Sequence, residues 1–243
     1  MAEYQCIECG ANVPSLYTDF KAGIIRISHC KSCGSVADKY IEYDPVIIFL
    51  DAMLLQPQPY RHLLINTQFE SHWRLALVLW VCDAFAKLVL QRSELTSGPH
   101  NSLDGIQYTH LGLELYLNYI VAASELLALL LSVQAVLFLR SLLQGGSVGL
   151  IWSQLITKAV IVASLGRVLA VPALLWGRSF STAFVWLCDG FVFLSTLQAL
   201  RVVLSAGKYK TLWTAVAVAV GFLAQWRLSE VMRAWFKYFF SMP

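Results

Sequence analysis

The chain has 243 residues, 58% of them hydrophobic, a mean hydropathy of +0.61 and a formal net charge of only +3. Soluble domains carry about 45 to 50% apolar residues, so the composition excludes an ordinary soluble fold and points to a bilayer. Its basic residues are scattered along the chain, which gives no footing for a nucleic-acid partner.

The first element is marked by two cysteine pairs, CIECG at Cys6 and Cys9 and CKSCG at Cys30 and Cys33. A C-x-x-C turn delivers two thiolates on one knuckle, and the loop between the pairs has the length of a four-cysteine zinc ribbon. Gly10 and Gly34, one step beyond each pair, permit the positive φ such knuckles need. Between the knuckles SLYTDF and IIRISH read as a β-hairpin turned by KAG, and DKYIEYD reads as a further short strand. A module of this size cannot bury enough surface to fold alone, so it needs its metal. With sulfur at all four positions that metal is structural. A redox pair would come once, at the start of a helix. MAEYQCIECG has neither the basic start nor the apolar run of an export signal, and reduced thiols suit a cytosolic face.

After Pro45, VIIFLDAMLL is too short to cross a bilayer. Two compatible readings fit it: an interfacial helix, or a core helix packed on the ribbon. Pro57 and Pro59 are expected to end it, with Tyr60, Arg61 and His62 meeting lipid headgroups.

Five runs are expected to span the membrane: residues 73–90, 116–139, 148–176, 180–204 and 211–227. Beyond them Glu230, Arg233 and Lys237 make a polar stripe, read as a helix lying in the headgroup plane or as a continuation of the fifth span. The fold class is thus an α-helical multi-pass membrane protein of about five spans with a small β-rich zinc ribbon in front. Its parts are the ribbon at 1–45, an interfacial junction at 46–71, a transmembrane bundle at 72–228 and an amphipathic C-terminal helix at 229–243. The loop 91–113 is poor in Lys and Arg, whereas Arg201, Lys208 and Lys210 cluster around the loop before the last span. Both place the N-terminus in the cytosol; the basic C-terminal stripe argues the other way.

Asp83, Lys87, Glu125, Lys158, Arg167 and Asp189 fall inside expected spans. Each costs about 2.5 to 3.5 kcal/mol at mid-helix, so each needs a reason to be there. Asp83 and Lys87 have the favoured i,i+4 order, while Lys158 and Arg167 fall on opposite sides of an ideal helix. Mutual pairing that fixes the bundle is one reading. A polar seam for a lipid headgroup or a partner's helix is the other.

The blocks CIECG, LYTDF, HCKSCG, VADKYIEYDPVIIFLDAMLL and YRHLLIN, in this order over residues 4–68, closely resemble the Arv family of endoplasmic-reticulum membrane proteins. The resemblance implies a cytosolic zinc-binding homology domain in which Cys6, Cys9, Cys30 and Cys33 are the ligands, and it brings no catalytic residue. It implies a role in lipid homeostasis: sterol movement, sphingolipid balance and early steps of glycosylphosphatidylinositol anchor synthesis. The expected partners are membrane lipids of those classes and the enzymes of anchor synthesis, and a homo-oligomer is compatible with it. Three classes of function follow: a non-enzymatic lipid handler, a scaffold for a lipid-synthesising complex, and an integral-membrane enzyme. The last ranks lowest, because none of His29, His62, His72, His100 and His110 lies in mid-span where a general base would be needed.

Overall fold

The computed structural model describes residues 4–20, 24–67, 72–96, 108–143, 150–176, 181–204 and 210–241. Two short antiparallel ribbons open it: β1 (Tyr4–Gln5) pairs with β2 (Asn12–Val13), and β3 (Tyr17–Phe20) with β4 (Ile24–Ile27). The second is the expected hairpin, in register from Tyr17 opposite Ile27 to Phe20 opposite Ile24. Its KAG turn lies outside the described residues, as does Lys208. So small an assembly has a small core. Its buried members are Cys6, Val13, Leu16, Cys30 and Ala37, two of which belong to the knuckles.

DKYIEYD does not form the expected strand. Lys39–Ile41 make a 3-10 turn, N-capped by Asp38, whose carboxylate accepts from Tyr40 N at 3.0 Å. Asp38 is wholly buried, and a side chain that satisfies a nearby backbone donor competes with strand pairing. Tyr40 is turned inward against Ile7 and Ile48, and its hydroxyl donates to Asp51 Oδ2 at 2.7 Å.

Helix α1 (Pro45–Met53) begins on proline, where the missing N–H costs nothing. The same logic corrects the reading of the next prolines: Pro57 opens α2 (Pro57–Arg61), which runs on as one π turn over His62–Asn66. Thr67 N seals that turn by donating to His62 O at 2.8 Å. Along α1, Ile48 packs on the ribbon and Ala52 joins the bundle core. Val46, Leu50 and Leu54 form an exposed row at i, i+4 and i+8, the kind of stripe an interfacial helix turns to lipid.

The body is helical: α3 (His72–Thr96), α4 (Tyr108–Leu143), α5 (Leu150–Ala163), a 3-10 stretch (Ser164–Leu169), α6 (Ala170–Trp176), α7 (Ser181–Val203) and α8 (Lys210–Ser241). Among the described residues four stretches are long and apolar enough to cross a membrane, Gly112–Leu143, Trp152–Leu174, Ala183–Val203 and Thr211–Phe236. The first expected span corresponds to α3, which has the length at 25 residues but is diluted by Arg74, Asp83 and Lys87. No separate C-terminal helix is set off at residue 229. Between Phe222 and Met242 there is no glycine or proline to break α8, and the polar stripe rides on its last turns.

The surface is inverted relative to a soluble protein. Trp186 is 72% and Leu187 68% exposed, while Glu125, Thr196 and Thr214 are buried. Buried hydroxyls bond the carbonyl one turn back, as Thr196 Oγ1 does to Val192 O at 2.7 Å, and so remain satisfied without water. Helices α4 and α8 pack more extensively than any other pair. A Cβ at Gly221 would come within 2.8 Å of Leu129 Cδ1, and one at Gly166 within 2.3 Å of Phe191 Cδ1, whereas Gly190 faces open space. Gly166→Ala should therefore cost about 1–3 kcal/mol through overpacking, seen as a lowered thermal transition of the detergent-solubilised chain. Gly190→Ala should leave that transition unchanged or raise it.

Candidate metal centre and interior charge cluster

Each C-x-x-C pair folds into the same turn. Gly10 N donates to Cys6 O and Gly34 N to Cys30 O, both at 2.9 Å, and the two glycines adopt φ of 77° and 74°. The four sulfurs lie within 4.8 Å of one another, with Cys6 and Cys33 3.7 Å apart and Cys9 and Cys30 3.6 Å apart. These separations are far from a disulfide bond of about 2.05 Å. A zinc ion with Zn–S bonds of about 2.3 Å in a tetrahedron sets its sulfurs roughly 3.8 Å apart, so the donor set fits that ion.

Burial pushes the Cys6 thiol up to about 12, while the backbone N–H groups of Cys33 and Ser32 draw the Cys30 thiol down to about 6. A cation taking all four sulfurs displaces the remaining protons, so its hold tightens as pH rises. Sulfur on every corner leaves no position for a reacting water.

The junction grips this centre. Asn66 Nδ2 donates to Gln5 O and Asn66 Oδ1 accepts from Gln5 N, both at 2.9 Å, standing in for a third strand beside β1. The same Nδ2 donates to Asp38 Oδ2 at 2.7 Å, and His62 Nδ1 lies 2.7 Å from that oxygen. Arg61 Nη1 donates to Ile7 O at 2.6 Å and to Glu8 O at 2.7 Å, both on the first knuckle.

Tyr60, Arg61 and His62 are thus not the headgroup-facing set expected of them. Tyr60 is buried, its hydroxyl donating to Ala52 O at 3.1 Å and lying 2.7 Å from Ser195 Oγ on α7. Partners close at hand in ribbon and bundle claim these polar groups before lipid can.

Inside the bundle, polar and charged groups from four elements meet. Lys87 Nζ on α3 reaches Asp83 Oδ2 at 2.5 Å and Glu125 Oε2 of α4 at 3.0 Å. Gln225 Nε2 of α8 donates to the same Glu125 oxygen at 3.2 Å, and Arg167 Nη1, in the 3-10 stretch, lies 3.5 Å from Asp83 Oδ2. The result is one chain, Gln225–Glu125–Lys87–Asp83–Arg167, with two acids and two bases.

The other two expected members stand apart. Asp189 on α7 is within electrostatic reach of Arg167 but makes no ion pair with a described residue, and half-buried Lys158 makes none either. The expected opposition of Lys158 and Arg167 on one ideal helix is modified by the 3-10 stretch that separates them and places Arg167 in the interior.

The family model described as the Arv1-like family matches residues 5–200. The chain belongs to the Arv1-like family. It is 35% identical to the human protein named Protein ARV1 over 208 residues, which cover 85% of this chain and 74% of that one. The Dictyostelium discoideum protein named Protein arv1 homolog is 30% identical over 236 residues, or 90% and 91% of the two chains. With Protein arv1 of Schizosaccharomyces pombe identity rises to 54%, but over 65 residues only, 26% of this chain and 24% of the other. No solved structure matches. Membership in the Arv1-like family makes this a membrane protein of lipid homeostasis.

Sequence reading of this Arv1-like chain misses the clamp. Asp38, Asn66 and Gln225 are ordinary polar residues in the sequence, and no periodicity pairs Asp38 with groups 24 and 28 positions on. The legible cue is Asn66, an amide set directly after the apolar run 63–65.

Two substitutions separate metal from clamp. Cys30→Ser should drop bound metal below one per chain by elemental analysis and unfold residues 4–45. Asn66→Ala strips both partners from Gln5, a loss of about 1–3 kcal/mol, and should speed amide exchange over residues 4–13 while metal content holds.

Proposed function

We propose that this Arv1-like protein is a non-enzymatic lipid handler of the endoplasmic-reticulum membrane. Zinc on Cys6, Cys9, Cys30 and Cys33 folds its cytosolic ribbon, and the bundle moves or presents sterols, sphingolipids or intermediates of glycosylphosphatidylinositol anchors. The observation that carries this reading is the five-residue polar chain inside a largely apolar bundle. Ionisable groups at such depth mark a path for polar cargo. Their commitment to one another suits holding a headgroup better than trading protons with it.

Orientation has its own support. The ribbon is tied through Tyr60 to Ser195, in the half of α7 that carries Arg201 and leads to Lys208 and Lys210. The nearness of Arg201 to that contact along α7 supports the reading of a cytosolic ribbon under the positive-inside rule.

A scaffold that assembles lipid-synthesising enzymes is the competing class, and reconstitution decides between the two. Purified chain in liposomes should accelerate exchange or flipping of labelled lipid by itself. No acceleration, together with stoichiometric co-purification of a glycosyltransferase complex, would transfer the assignment to the scaffold.

A further inference from the structure

Arg167 is under-served. It is only 7% exposed, yet its guanidinium Nε and Nη2 are buried with no hydrogen-bond partner among the described residues, while Nη1 has a long 3.5 Å approach to an aspartate that Lys87 already holds. Burying donors without acceptors forfeits their hydration with nothing in return, and native structures rarely leave them so. The two orphan nitrogens are moreover adjacent. Nε and Nη2 form one edge of the guanidinium fork, the edge that grips two oxygens of a phosphate or carboxylate in parallel.

The backbone around this edge is irregular. Arg167 sits in the six-residue 3-10 stretch that interrupts the span Trp152–Leu174, and non-helical backbone at membrane depth occurs where protein buries it or where it lines a cavity. Leu165 of this stretch and Phe191 of α7 help line a small crevice among α1, α2, α5 and α7. The other end of the polar chain is also unsatisfied, because Gln225 Oε1 is buried without a partner.

Charge agrees with an incoming oxyanion only in part. Asp83, Lys87, Glu125 and Arg167 sum to zero, and Asp189 faces them from α7 as a further acid. Asp189 makes no ion pair with Arg167 and leaves the Nε–Nη2 edge unpartnered, so an acid on α7 weakens anion binding without blocking it.

We infer that the Nε–Nη2 edge of Arg167 is a binding site for the phosphodiester of a lipid headgroup. The inference rests on the lipid-handling reading and narrows it, since a sterol carries no oxyanion and would leave the edge empty. Free phosphate shares the chemistry and is tested separately.

The probe is dioctanoyl phosphatidylglycerol, titrated into the full chain in detergent beside dioctanoylglycerol, which has the same chains without phosphate, and sodium phosphate. The phospholipid should bind at least tenfold tighter than the diacylglycerol. Arg167→Lys, which keeps the charge and loses the fork, should lower that affinity about tenfold with an unchanged thermal transition, and Arg167→Gln should lower it further. Displacement of the phospholipid by millimolar phosphate would assign the edge to the free ion, overturning the headgroup claim.

Equal affinity for the two dioctanoyl probes overturns it as well, and this comparison uses the unmodified chain, so it decides even where the variants misfold. Should liposome exchange succeed while Arg167→Lys binds the phospholipid normally, the inference falls and the lipid-handling reading stands. Should the unmodified chain neither exchange lipid nor bind the probe, both fall.

Discussion

The N-terminal module depends on four sulfurs held at the corners of one small tetrahedron. Its buried core amounts to Cys6, Val13, Leu16, Cys30 and Ala37, and the strands β1 and β2 are only two residues long each. Hydrophobic burial on that scale does not offset the backbone entropy of some forty residues. The sulfurs bring the two knuckles together, and two of them are themselves core residues. Coordination of a metal by them would make binding and packing one cooperative event, from which the rest of the ribbon hangs.

From there order passes into the bundle through a short series of polar contacts. Arg61 binds the carbonyls of the first knuckle, Asn66 completes β1, and buried Asp38 collects Tyr40 N, His62 and Asn66. Tyr60, next in sequence to Arg61, reaches Ser195 on α7. Charge-assisted bonds to a buried carboxylate are strong only while every member is present. The ribbon is consequently a fixed cap on one end of the bundle, held close to the crevice beside the 3-10 stretch.

What the sequence reveals is what local spacing encodes. The C-x-x-C pairs with their glycines announce both the ligands and their positive φ, the hairpin follows from β-branched alternation, and long apolar runs announce the helices. Asp83 and Lys87 are legible as a pair because one helix turn separates them. Contacts set by tertiary packing are not legible: the Asp38 clamp, the chain through Glu125 to Gln225, and the inward turn of Arg167. Two misreadings share a cause. DKYIEYD has strand-like residues, but the Asp38 cap outcompetes a ladder, and Pro57 is as well suited to opening a helix as to ending one. The 3-10 interruption is punctuated in the sequence by Gly166, which allows the close approach of Phe191, and by Pro172 just beyond it.

The central claim is that coordination at the cysteines organises both the ribbon and its seat on the membrane body. Amide exchange of the full chain in detergent, followed before and after removal of metal by a chelator, tests it directly. The account predicts that protection is lost together over residues 4–16 and 58–66, while α4 and α8 keep theirs. Unchanged protection in the ribbon after the metal is gone, or a metal-free chain with the ribbon already protected, would contradict it.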